Sequence, residues 1–167
     1  MPGKVIGKSL NNGFAGSFAR TPDSIIVTRP NNGGDNILFG TVLVYDGTGG
    51  VKAADDAFTA TAFVGIAGRE TKSALNYLDQ DGGGEYAPEE AVSVFQRGSI
   101  NVLCKQGTPA VGGRVYVRVE EDTGKAIGDI EAVADGNNSI ALTNAQWGGS
   151  KDANGVCELV LLTRINA

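Results

Sequence analysis

Residues Arg114–Glu120 read RVYVRVE, with valine at 115, 117 and 119 and Arg114, Tyr116, Arg118 and Glu120 between them. Successive side chains of a strand point to opposite faces, so this alternation predicts a half-buried strand, valines inward and polar groups outward. Working outward, Ala91–Phe95 (AVSVF) and Ser99–Cys104 (SINVLC) have the same character. Asn36–Tyr45 (NILFGTVLVY) is a strand broken by Gly40, and after the turn Asp46–Gly50 the stretch Val51–Ala54 pairs back as a hairpin arm. Phe58–Ile66 leaves strand and short helix open for its start. Leu75–Leu78 is a brief strand or helical turn, and Asp81–Glu85 (DGGGE) is a loop tip. Ser139–Leu142 and Val156–Ile165 complete the set. About eight to ten short strands at this spacing predict a barrel or sandwich without long helices.

Composition agrees. The 167 residues suffice for one domain with a real core. The 25 glycines are scattered between short apolar runs, which means many tight turns and an all-β fold. MPGKVIGKSL has no apolar signal-peptide core, and no apolar run approaches a membrane span, so a soluble chain made in a cytoplasm is expected.

Residues 1–34 differ from the rest. They carry Lys4, Lys8, Arg20 and Arg29 against the single acid Asp23, whereas residues 35–167 hold 10 of the 14 basic and 18 of the 19 acidic residues. Glycines and prolines recur there, and SIIVT (Ser24–Thr28) is the only β-like stretch. Phe14 and Phe18 sit four apart, but Gly13 and Gly16 and the lack of a longer apolar stripe disfavour a helix. The expected organisation is an extended N-terminal arm, 1–34, on a β-barrel body, 35–167. An acidic body argues against direct nucleic-acid binding.

The chemistry-bearing residues are sparse. Histidine is absent, which removes the commonest general base and metal ligand. Gly7-Lys8-Ser9 imitates the end of a phosphate loop, but Gly3 is one residue too close and no strand precedes it. Asp79, Asp81, Gly84 and Glu90 fall at calcium-loop spacing, yet the fifth position is Gly83 and Pro88 interrupts the pattern. The neighbouring acids Asp55-Asp56, Glu89-Glu90 and Glu120-Glu121 point to opposite faces of a strand and do not converge on one substrate. No cofactor and no metal are expected. Cys104 and Cys157 lie in apolar runs and read as buried thiols, with a disulfide open if their strands are neighbours. Trp147, before a Gly pair, is assigned to a core or an interface rather than to a ligand.

An ordered set of fragments carries a family resemblance. The opening KVIGKSLNNGFAGSFARTPDSIIVTRP is followed by FGTVLVYDGTGGVK, FVGIAGRE, VSVFQRGSINVLC and GTPAVGGRVYVRV. In this order the chain resembles the structural cement (capsid decoration) proteins of tailed bacteriophages. The resemblance implies a small antiparallel β-barrel, β-tulip or jelly-roll-like. It implies a homotrimer on the outer capsid surface of the virion, clamping the phage major capsid protein against internal DNA pressure, and no catalytic residues. Which residues touch the capsid is read from the arm: Phe14, Phe18, Ile25, Ile26 and Val27 as apolar anchors, Arg20 and Arg29 as partners of acidic groups. Two rivals stay open. One is a phage head-fibre base or carbohydrate-binding module with Trp147 and Tyr116 on a sugar face. The other is an enzyme using carboxylates without histidine.

Overall fold

The structure, a computed structural model, describes residues 11–20, 23–69 and 84–163. Its strands in chain order are β1 (Ile25–Pro30), β2 (Ile37–Leu38), β3 (Val42–Tyr45), β4 (Val51–Ala53), β5 (Phe63–Ala67), β6 (Glu85–Tyr86), β7 (Ala91–Gln106), β8 (Arg114–Arg118), β9 (Ile130–Glu131), β10 (Ser139–Trp147) and β11 (Val156–Leu161). Single 3-10 turns at Ala60–Ala62 and Gly136–Asn138 are the only helical segments among the described residues. The protein is all-β, as expected. No helix among the described residues is long and apolar enough to cross a membrane. Leu75–Leu78 and residues 81–83 of the DGGGE tip lie outside the described residues.

The two best strand candidates, Ala91–Phe95 and Ser99–Cys104, are halves of one strand, the 16-residue β7. Gln96, Arg97 and Gly98 do not turn the chain; they carry it from one set of partners to another. Residues 91–97 pair with β1, and Val94 and Phe95 also pair with β5. Residues 98–103 pair with β11, and Cys104 and Gln106 with β9. Gly98, at φ 106°, is the joint, and a Cβ there would overlap the Asp23 carbonyl oxygen. Only glycine satisfies both the left-handed backbone and the close approach of the preceding chain.

The ladders β7–β11–β10–β8–β9–β7 close a five-stranded barrel, extended from β7 by β5, β3 and β4. An antiparallel arrangement was expected, and one ladder corrects it: β9 runs parallel to β7. The reason is geometric. Direction must alternate around an all-antiparallel ring, and a ring with an odd number of strands cannot alternate throughout.

Two apolar cores result. The larger, inside the barrel, includes Phe95, Ile100, Val102, Val115, Val117, Trp147 and Leu159. The smaller holds Ile37, Leu43, Val51, Tyr86, Val92 and Val94. The β3–β5–β7 sheet divides them, with Val42 and Val44 in the larger core and Leu43 in the smaller. Strands buried on both faces read as continuous apolar runs, which is why VLVY and FVGIA lack alternation.

Val115 and Val117 face the core as the alternation predicts, but Arg118, expected outward, is fully buried. The 119–138 loop folds back over this strand: Arg118 N donates to Asp129 O and Gly128 N donates to Arg118 O. Under that cover the guanidinium grips Glu131 through Nε (2.6 Å) and Nη2 (3.2 Å), and Nη2 also donates to Asp135 (2.6 Å). Lys125 Nζ joins Asp135 at 2.9 Å. Hydrogen bonding to Glu131 holds Arg118 firmly protonated, against the cost of burial. Donors on Arg118 and Lys125 hold the Asp135 carboxyl below its usual range.

The two thiols are buried and free. Cys157 lies opposite Val102, so Cys104 is its diagonal neighbour, a relation that sets Cα atoms about 7–8 Å apart, beyond disulfide reach. Each sulfur instead donates to a carbonyl, Cys104 to Gln106 (3.3 Å) and Cys157 to Gly149 (3.1 Å). Burial pushes the Cys157 thiol up to about 11.

Arg118→Ala should destabilise the fold by about 3–5 kcal/mol in denaturant unfolding, because it strands Glu131 in the interior. Arg118→Met combined with Glu131→Leu should recover most of that loss. A single variant within about 0.5 kcal/mol of wild type would mean that the cluster does not hold the loop.

Candidate functional site

The described part of the N-terminal segment is fastened to the barrel at both ends by carboxylates. At one end, Asn12 N donates to Asp152 Oδ2 and Asn12 Nδ2 to Val156 O, both at 2.8 Å, and Asn101 Nδ2 donates to Asn12 O at 2.7 Å. At the other, Arg20 Nε and Nη2 meet the two Glu158 oxygens at 2.7 and 3.2 Å. Between them the backbone pairs with β7: Gly16 N with Asn101 O, Asn101 N with Ser17 O, and Ala19 N with Ser99 O. Gly16 O also accepts from Arg69 N at the end of β5. A Cβ on Gly16 would lie 2.9 Å from Ala67 O and 3.0 Å from Arg69 N, so only glycine can bridge the two strands here.

This backbone displays the side chains that the sequence singled out. Phe14 is 54% exposed and lies under the Arg69 guanidinium, 4.7 Å from its ring centre. Phe18 is 42% exposed and rests on Phe95 at 5.3 Å between centroids. Ile25, Ile26 and Val27 belong to β1; Ile26 is exposed, Ile25 is half-buried, and Val27 packs on the smaller core. Arg29 is exposed at the far end of β1, and Arg20 is committed to Glu158. Phe14, Phe18, Ile26 and Arg29 are thus outward groups on fixed backbone. Trp147 lies wholly within the larger core, and a buried indole offers no face to a sugar.

The residues that hold the segment are Asn12, Arg69, Asn101, Asp152 and Glu158. Local pattern gave them no role, because their contacts span up to 140 positions in sequence. The DANG turn at Asp152–Gly155 was the one available signal. The Asp152 carboxylate closes that turn by accepting from Asn154 N and Val156 N. Burial works against its ionisation, but these two donors and Asn12 N hold it below the usual carboxylate range. The Arg20 guanidinium does the same for Glu158.

Asp79 and Asp81 of the calcium-like pattern lie outside the described residues, and Glu90 accepts from Ala87 N within a turn. No three His, Cys, Asp or Glu residues among the described ones gather as a metal set. A shallow groove of about 330 Å³ runs beside Ala15, lined by Leu38, Leu103, Lys105, Ala126 and Ile127.

The family model described as "Structural cement protein (E217 gp24/Pam3 gp6)" matches residues 2–162. The chain belongs to the phage structural cement protein family. It is therefore a capsid component of the virion and a structural protein, not an enzyme. The cement-protein fold has a solved counterpart in "The capsid of Myoviridae Phage XM1", with a TM-score of 0.71 at 16% identity over 95% of each chain. A head-fibre structure, "The crystal structure of head fiber gp8.5 N base in bacteriophage phi29", aligns at a TM-score of 0.43 and 11% identity, over 86% of this chain and 98% of that one. No curated protein matches the cement protein's sequence.

Both fastening carboxylates have depressed folded-state pKa values. Their contribution is therefore complete above the ordinary carboxylate range and disappears as pH falls through the lower folded values. The amide signals of Gly16 and Ala19 should stay constant from neutrality down to about pH 4 and move only below it, as the segment detaches. Movement in the neutral range would assign the fastening to another group.

Proposed function

We propose that this cement protein binds the outer surface of a tailed-phage head and stabilises the lattice of the major capsid protein, as a homotrimer at local three-fold positions. The observation that carries this reading is the set of exposed apolar and cationic side chains on a backbone fastened at both ends. Ordering a free arm costs roughly 1–2 kcal/mol per residue in backbone entropy. A segment already paired with β7 has met that cost during folding, so more of its contact energy appears as affinity. Phe14, Phe18 and Ile26 serve as apolar anchors on the capsid, with Ile25 and Val27 setting the height of β1. Arg29, and Arg20 through its exposed edge, face acidic capsid groups.

In this reading residues 1–34 act as the capsid-contacting arm and residues 35–167 as a β-tulip-like body, with β3–β5 extending the closed ring. Three linked copies reinforce contacts that are individually weak. Each copy needs a share of the roughly 1,200–2,000 Å² that a stable interface buries.

Phe14→Ala with Ile26→Ala should weaken co-sedimentation with expanded phage heads by roughly tenfold or more, the scale of losing two apolar anchors, and leave the thermal transition nearly unchanged. Unaltered binding would place the capsid contact on another face. Mass measurement in solution, with and without heads, should give three copies per assembled unit, and a monomer on the capsid would exclude the trimer.

A further inference from the structure

The sequence contains three Asn-Gly pairs: Asn12-Gly13, Asn32-Gly33 and Asn154-Gly155. Such pairs are the most reactive amides in a chain, since glycine has no side chain to hinder its own backbone nitrogen. That nitrogen attacks the asparagine side-chain carbon. The N–Cγ bond forms, the Cγ–Nδ2 bond breaks, and Nδ2 leaves as ammonia carrying the glycine amide proton. Water then opens the resulting succinimide at either carbonyl, giving aspartate or isoaspartate. No oxidant or reductant is involved.

The fold treats the three pairs differently. Gly33 N, the nitrogen that would attack, is occupied, donating to Asn31 Oδ1 at 3.0 Å. Gly155 N donates to Asp152 O at 3.1 Å inside the hairpin turn. Gly13 N has no hydrogen-bond acceptor among the described residues, and Asn12 is exposed. Yet Asn12 is also the end fastening of the N-terminal segment, through Asp152 and Val156.

We propose that Asn12-Gly13 is a spontaneous deamidation site of the folded protein and that its product releases the N-terminal segment from the barrel. The new carboxylate has no donor for Val156 O, which the amide reaches at 2.8 Å. It also sets a second negative charge beside the Asp152 carboxylate, which already accepts from Asn12 N. The isoaspartate product adds a methylene to the backbone and moves Asn12 O away from Asn101 Nδ2, now at 2.7 Å. The site is independent of how the protein meets a capsid. It gives the segment a chemical clock, with attachment falling as the molecule ages.

The test ages the full chain at mildly alkaline pH and follows each pair by peptide mapping that separates aspartate from isoaspartate. In the folded protein Asn12 should convert first, well ahead of Asn32 and Asn154. In denaturant the three should convert at similar rates. Conversion of folded Asn32 or Asn154 as fast as Asn12, or an inert Asn12, overturns the site. Release is read by trypsin cleavage after Arg20. Asn12→Asp, and the aged wild-type fraction itself, should be cut several-fold faster than fresh protein, the scale of losing one neutral hydrogen bond, with the like charge beside Asp152 adding to it. Asn12→Gln should stay near the fresh rate. Equal cleavage of fresh and aged protein overturns the release.

Discussion

Strand β7 is hydrogen-bonded along most of its length, and the two cores exist because one strand serves both. Its first half places Val92 and Val94 in the smaller core, and its second half places Ile100, Val102 and Cys104 in the barrel. A strand can change partners in this way only where its backbone bends without ending. Gly98 meets that requirement, with a φ that other residues rarely adopt and with space for the passing chain at Asp23. The five-stranded ring, its single parallel ladder and the attachment of the N-terminal segment all depend on this joint.

The same strand explains why the outward side chains are fixed. Arm residues 16–19 meet β7 at Ser99–Asn101 on the barrel half, and β1 meets it on the other half. Phe14, Phe18 and Ile26 therefore stand on backbone that the rest of the fold already holds. Such pre-organisation reduces the entropy lost in any association that uses these groups.

Much of the fold was legible in local pattern. Val115 and Val117 declared their buried face by alternation, and the DGTGG turn declared the β3–β4 hairpin. The glycine-rich composition and the missing histidine pointed away from enzyme chemistry, and the order of the β fragments pointed to the family. Phe14, Phe18 and Ile26 also stood out in a segment otherwise rich in glycine and proline, and all three are exposed, whereas Ile25 and Val27, which read alike in sequence, are half-buried. Other features misled in instructive ways. Ala91–Phe95 and Ser99–Cys104 read as two strands, because the polar pair and glycine between them interrupt the apolar pattern. Arg118 looked solvent-facing, because nothing nearby in sequence announces the loop that covers it.

The sequence by itself determined the strand-forming stretches, the all-β class and the family, because alternation, turn residues and fragment order are written within short windows of the chain. Only the tertiary structure decided the odd-membered ring with its parallel ladder, the burial of Arg118 against Glu131, and the separation of Cys104 from Cys157 by one diagonal step. It alone showed that Asp152 and Glu158, far along the chain, fasten Asn12 and Arg20. The physical reason is common to all four. Each depends on which distant segments share an edge of β7 or cover its neighbours, and register between remote strands is set by packing that no local window contains.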